Sequence, residues 1–466
     1  MLKKLVMGLL LACGAASSGA IDLAGLQNAH DPGTITKDGD TYFNFTTGTG
    51  IWYSTSTDLK TWQGGPGPVF ATNPAWVEQK IPNFKTNGSS YWAPDMIKMN
   101  GAYYIYYSVS QWGTTNSAIG VARSTSLKNP AWTDLGIVVQ SYGKGGSELN
   151  AIDPALFRDH DGKVYMSFGS FFGGIGVAEI DQATGKLAGA VTKIAGGTDA
   201  RRDIEAPYIT RNGGYYYLFA NRGACCKGSA STYYVEVQRA TSVTGPYSDP
   251  RVILPNVDGR YKGPGHVGVL KENACNFVST HYYDTLDNGN AKLQIMKMTY
   301  ATRGTDIDWP QLTRDFDSYT EGCSGISDGR YALINGASGK AMTVADNSVQ
   351  AGAMVQQQTW SGLKSQYWYV IGHGNGDYSI VNENSLLAMD DWEVSMSPGA
   401  KVAQWSYWGG DGQKWRFAAA SGKYTVQNKV NGLVAEISGG STASGAPVLL
   451  YALHGGASQQ WTLSRK

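Results

Sequence analysis

Three acidic residues stand one or two places before a proline in a chain poor in charge, in His30-Asp31-Pro32, Asn150-Ala-Ile-Asp153-Pro154 and Asp203-Ile-Glu205-Ala-Pro-Tyr208. Carboxyl groups in apolar surroundings release and take protons over ranges set by burial and by one another, which is the material of proton-transfer chemistry. A single Asp before proline is ordinarily a turn or cap residue. Three of them, each just ahead of the same kind of segment, point to a shared site.

That segment is a Gly-containing turn followed by an aromatic-rich strand: Asp38-Gly-Asp-Thr-Tyr-Phe43, Asn100-Gly-Ala-Tyr-Tyr-Ile-Tyr-Tyr107, Asp161-Gly-Lys-Val-Tyr-Met-Ser-Phe168 and Asn212-Gly-Gly-Tyr-Tyr-Tyr-Leu-Phe219, with a looser fifth copy from Asn276 to Tyr283. The spacing of about 50 to 60 residues suits a propeller blade of four strands, and long helical periodicity is absent. Five copies predict an all-β, five-bladed β-propeller, with a β-sandwich as the alternative. A propeller directs its innermost strands into a central channel, so the carboxylates of different blades converge there.

Near residues 321–328 the texture changes, and Gln366-Tyr-Trp368, Gln413-Lys-Trp415 and Gln459-Gln-Trp461 mark a second repeat of about 46 residues. Gly-Ala precedes each, at 352, 399 and 445. Three such units resemble the ricin-type β-trefoil, a sugar-binding module. The resemblance implies that the Trp residues are core, that the Gln side chains bond the backbone, and that an acidic residue anchors a sugar. The matching places hold Thr343, Asp390 and Glu436, so sugar binding is expected at Asp390, with Trp405, Tyr407 and Trp408 close by.

Composition excludes some partners. A formal net charge of +1 and 16% charged residues leave no surface for nucleic acid or an anionic membrane. Aromatic residues at 12% suit stacking on the apolar faces of sugars. Lys3 and Lys4, the apolar run Leu5 to Ala12 and the small residues to Ala20 form a secretory signal. The expected division is a signal over 1–20, a propeller over 21–322 and a trefoil over 326–466, in a secreted or periplasmic protein. Leu10-Leu11-Ala12-Cys13 is readable instead as a lipidation box that would tie the chain to a membrane. Four further cysteines allow three pairings in an oxidising compartment. Cys225 with Cys226 and Cys275 with Cys323 is favoured, and free vicinal thiols are the alternative.

Tyr91-Trp-Ala-Pro-Asp95, Ser117-Ala-Ile-Gly120, Asn150 to Pro154, Phe168-Gly-Ser170, Ile204 to Tyr208, Cys225-Cys-Lys-Gly228 with Ser231-Thr-Tyr233, and Gly263-Pro-Gly-His266 resemble glycoside hydrolase family 43. Within it they are most similar to the α-1,5-L-arabinanases, over about residues 28 to 310. Gln238-Arg-Ala departs from the usual Gly-Arg-Ser, and the segment before Gly263 is short. The resemblance implies hydrolysis of arabinan or arabino-oligosaccharides with inversion. Asp31 is then general base, Glu205 general acid, and Asp153 orients Glu205 and raises its pKa. Inversion needs ~6.5–9.5 Å between acid and base to admit water. Trp92, Asn150 and Ser170 would line the sugar site. His266, supported by Gln294, would hold a calcium-like ion, largely through water. Endo action is expected; exo action, and a plant-polysaccharide-binding protein without catalysis, are the alternatives.

Overall fold

In the computed structural model the described residues are 23–81, 84, 90–143, 148–196, 203–212, 214–272, 275–301, 309–314, 325–373, 376–420 and 422–465. The expected signal, Cys13 and Cys323 fall outside them.

The aromatic strands form where the repeat places them, at Thr41–Thr46, Ala102–Ser110, Val164–Ser170, Tyr215–Arg222 and Cys275–Asp284. Their turns are tight where the sequence supplies Asn-Gly. Asn100 and Gly101 both take positive φ, 49° and 74°, and Met99 pairs directly with Ala102 across the turn. This is the two-residue hairpin that Asn-Gly favours. Each aromatic strand is an inner member of a separate sheet, antiparallel to both its neighbours, and the described residues form five such sheets. Apolar side chains pack between successive sheets, as where Tyr104 and Ile119 of the second blade meet Leu156 and Met166 of the third.

The strands nearest the channel are Thr36–Asp38, Trp92–Met99, Ala155–Arg158, Ile204–Asn212 and Tyr261–Glu272. The ring is closed by the N-terminal segment. Ala24–Gly25 pairs parallel with Thr61–Trp62 of blade 1, and Asn28 bridges to Lys292 of blade 5.

Residues 329–465 form the trefoil, twelve strands in one continuous sheet. Trp368, Trp415 and Trp461 are fully buried, and each indole N–H donates to a carbonyl 26 residues earlier, on Met342, Met389 and Ala435. The three Gln side chains bond loop backbone on both faces of their amides, as when Gln413 accepts from Trp408 N and donates to Ser406 O. Each repeat therefore contributes one tryptophan to a common core and one glutamine that folds its own loop.

The trefoil docks on the propeller at the far ends of the channel strands. Lys37, Lys98, Arg158, Arg211 and Lys271 meet Asp328, Arg330 and Tyr369 around a cavity of about 220 Å³. Lys271 pairs with Asp328 at 3.2 Å, Arg158 lies 4.0 Å over the Tyr369 ring, and Ser379 Oγ donates to His160 O.

Candidate active site

At the opposite end of the channel the five blades share one backbone irregularity. Asp31, Ala93, Asp153, Ala206 and His266 all have positive φ, between 45° and 58°. Four of them precede proline, which has no N–H to give to a ladder. Across this step the pairing register shifts in blades 2, 4 and 5, between Trp92 and Asp95, Glu205 and Tyr208, and Gly265 and Gly268. A bulge re-aims side chains at a strand end. Here it brings residues from every blade to one cavity of about 380 Å³, lined by Asp31, Trp92, Asn150, Asp153, Ser170, Glu205 and His266. Seven of the propeller residues singled out in the sequence thus line the same space, and Gln294 does not.

Asp31 is set among histidines. Its Oδ2 accepts from Thr47 Oγ1 at 2.7 Å and lies 2.9 Å from His30 Nδ1. Its backbone N–H donates to His281 Nδ1, and its Oδ1 is 3.8 Å from His266 Nδ1. Burial opposes ionisation of Asp31, but the charge and hydrogen bond of His30, with His266 and His281 behind it, hold the carboxyl well below the usual range. Glu205 is the reverse case. Burial and the charge of Asp31 push it up to about 7, against the pull of Tyr233, which donates to Oε1 at 2.9 Å.

Asp153 is raised well above its usual range by burial and by the charges of Glu205 and Asp31. A neighbouring negative charge in a buried site disfavours a second ionised carboxyl. The upward shift of Glu205 therefore rests first on burial and on Asp31. Asp153 reaches the acid through the backbone, its Oδ2 accepting from the N–H of Ala206 at 3.0 Å. Trp92 stands edge-on to the exposed Trp112, with centroids 5.9 Å apart. Asn150 donates to Ser170 Oγ at 3.0 Å, so these two polar groups are mutually fixed.

His266 donates its backbone N–H to Asn221, and burial keeps its imidazole on the neutral side. The nitrogen donors nearest Asp31 are the rings of His30, His266 and His281. These rings offer nitrogen where a hard cation prefers six to eight oxygens, so an ion beside His266 would have to take most of its ligands from water. Gln294 stands apart from His266. It accepts from Arg314 and lines a separate cavity with Arg260 and Tyr282.

Cys225 and Cys226 are joined as a vicinal disulfide on the cavity wall. Cys275 is buried, and its expected partner Cys323 is outside the described residues.

Sequence reasoning missed His30, Thr47, Tyr233, His281 and Asp95. Asp95 lies inside a quoted motif, and its carboxylate accepts from Thr34 N at 2.7 Å and Leu156 N at 2.6 Å, tying blades 1, 2 and 3 together. The recurrence of a residue before proline at 31, 93, 153 and 206 was the available signal for the bulge.

In the trefoil, Asp390 Oδ2 accepts from the indole N–H of Trp408 at 3.0 Å. Trp408 is 53% exposed, and a Cβ on Gly410 would lie 1.5 Å from its ring, so only glycine lets the indole lie there. Trp405 is exposed and meets Trp392 edge-on, whereas Tyr407 turns toward the propeller and faces His373. Tyr407 therefore does not belong with Asp390.

Residues 26–305 match the model of Glycosyl hydrolases family 43, and residues 321–405 and 411–466 match the Ricin-type beta-trefoil lectin domain-like model. The chain is 35% identical over 311 residues to the extracellular endo-alpha-(1->5)-L-arabinanase 1 of Bacillus subtilis (strain 168), covering 64% of this chain and 93% of that protein. It is 36% identical over 338 residues to the extracellular exo-alpha-(1->5)-L-arabinofuranosidase ArbA of Cellvibrio japonicus (strain Ueda107), covering 67% and 93%. The solved GH43 endo-arabinanase from Bacillus licheniformis is 38% identical, with a TM-score of 0.57, covering 62% of this chain and 99% of its own.

Proposed function

The chain belongs to glycosyl hydrolases family 43, and from that premise we propose that it is a secreted, inverting hydrolase of α-1,5-linked arabinan that cuts within the polymer. The observation that carries the reading is the unequal ionisation of two carboxyls facing one cavity. Asp31 is held ionised, as a general base must be, and Glu205 keeps its proton up to about neutral pH, as a general acid must.

In the reaction, Asp31 takes a proton from the attacking water while Glu205 protonates the departing sugar oxygen. Asp153 orients the acid through the Ala206 N–H. Trp92 offers a ring face to the arabinose, and Asn150 with Ser170 offers hydrogen bonds to its hydroxyls. The relatives support the substrate and an extracellular location, and they include both endo and exo enzymes. The exposed Trp112 and Phe171 at the cavity rim favour a polymer lying across the site, and hence endo action. The trefoil would hold the enzyme on plant polysaccharide.

Hydrolysis of linear arabinan, sampled early, should give a ladder of oligomers; a single small product would replace endo with exo action. Proton NMR of the first turnovers should show the β-anomer, and an initial α-anomer would overturn inversion.

A further inference from the structure

One loop of blade 4 bonds Glu205 directly and reaches Asp31 through two further side chains. It spans residues 223–233, between the strands Tyr215–Arg222 and Tyr234–Ala240. At its end Tyr233 donates to Glu205. Near its start the Cys225–Cys226 disulfide closes a small ring, and Cys226 takes a φ of 66°. That conformation is uncommon for a residue with a Cβ, and the covalent link restricts the alternatives open to it.

The turn aims the Cys226 N–H at Tyr283 Oη, 2.8 Å away. Tyr283 Oη lies 2.9 Å from His30 Nε2, and His30 Nδ1 lies 2.9 Å from Asp31 Oδ2. The Cys226 sulfur itself stands 3.9 Å from His30 Nε2. His30 is gripped on its face as well, stacked on His281 with centroids 4.4 Å apart. In either protonation state of His30 the Nδ1–H faces Asp31, and the tyrosine hydroxyl serves Nε2 as donor or acceptor while accepting from Cys226.

We infer that the Cys225–Cys226 disulfide is a positioning element for Asp31, acting through Tyr283 and His30. The inference rests on the assignment of Asp31 as the base. The disulfide makes no bond in the reaction; it fixes the turn whose N–H anchors the tyrosine, and the tyrosine fixes the imidazole that holds the carboxylate.

The test compares wild type, the Cys225→Ser/Cys226→Ser pair, Tyr283→Phe, and all three substitutions together. Both the serine pair and Tyr283→Phe should lower kcat on linear arabinan about tenfold with KM within about twofold, less than the ~10²-fold that a 1 Å misplacement can cost. The combined variant should be no slower than the slower parent, because both changes act through the Tyr283 hydroxyl. Unchanged kcat in the serine pair, or losses that multiply in the combination, would overturn the inference.

A second readout needs no substrate. With six histidines in the chain, ring NMR should show the His30 signals displaced in the same direction by the serine pair and by Tyr283→Phe. A His30 signal that the serine pair leaves in place would overturn the inference, even if wild type proves inactive on arabinan, which would instead count against the proposed substrate.

Discussion

Asp31 and Glu205 are both buried carboxyls, and what separates them is company. Three imidazoles surround the first, whereas a tyrosine hydroxyl and a neighbouring negative charge meet the second. Glu205→Gln and Asp31→Asn should each cost ~10²–10⁴-fold in kcat with an unchanged circular dichroism spectrum; more than a tenth of wild-type activity remaining in either would refute its role. Since Glu205 acts protonated and is held near about 7, the rate should fall as pH rises through that value. Tyr233 stabilises the carboxylate form, so Tyr233→Phe raises the pKa of Glu205 and moves the alkaline limb to higher pH. A limb that moves down or stays fixed would show that Tyr233 does not govern the acid. The carboxylates were legible because they are rare in this chain and sit at repeated places. Their partners were not: His30 meets Tyr283 across 253 residues of sequence, and no local pattern announces a contact made by closing a ring.

At the level of strands, the aromatic half of each blade was legible, since alternation and turn residues dictate it locally. The positive-φ step repeated in each blade was not read as a repeat, because its five copies hold different side chains and share only a backbone conformation and, in four of them, the proline that follows. The consequence is that Trp92 and Glu205 occupy one position of the bulge and Asp31, Asp153 and His266 the next. One irregularity, repeated, thus presents a varied set of groups to a common space. Asp95 ties the channel strands of blades 1, 2 and 3 together by accepting from Thr34 and Leu156. Asp95→Ala leaves both buried donors unpaired and should destabilise the chain by about 1–3 kcal/mol. Urea unfolding would measure this as a lower midpoint with an unchanged slope, and an unaltered midpoint would mean that the blades are held without it.

Across the whole molecule, the channel strands carry the acid–base pair at one end and meet the trefoil at the other. Chemistry and attachment are therefore separated by the length of the propeller, roughly 25 Å for an eight-residue strand at ~3.3 Å per residue. The trefoil core is drawn wholly from residues 326–463, with all three tryptophans in one cluster, so residues 326–466 should fold alone. Asp390 lends that domain an oriented, exposed indole: its carboxylate fixes Trp408, and Gly410 leaves the ring room to lie flat. Sugar faces stack on such rings. Glu436, at the same place in the third repeat, is bonded to His454 and Gln459, and Thr343 in the first is bonded to Ser365, so the second repeat alone pairs its anchor with an indole. The isolated trefoil should be retarded by arabinan or another plant polysaccharide in affinity electrophoresis, and Asp390→Ala should remove most of that retardation by freeing Trp408 and taking away the acceptor for a sugar hydroxyl. Retardation that survives Asp390→Ala would move the binding surface to another repeat, and no retardation by any polysaccharide would leave the trefoil only as a cap on the propeller.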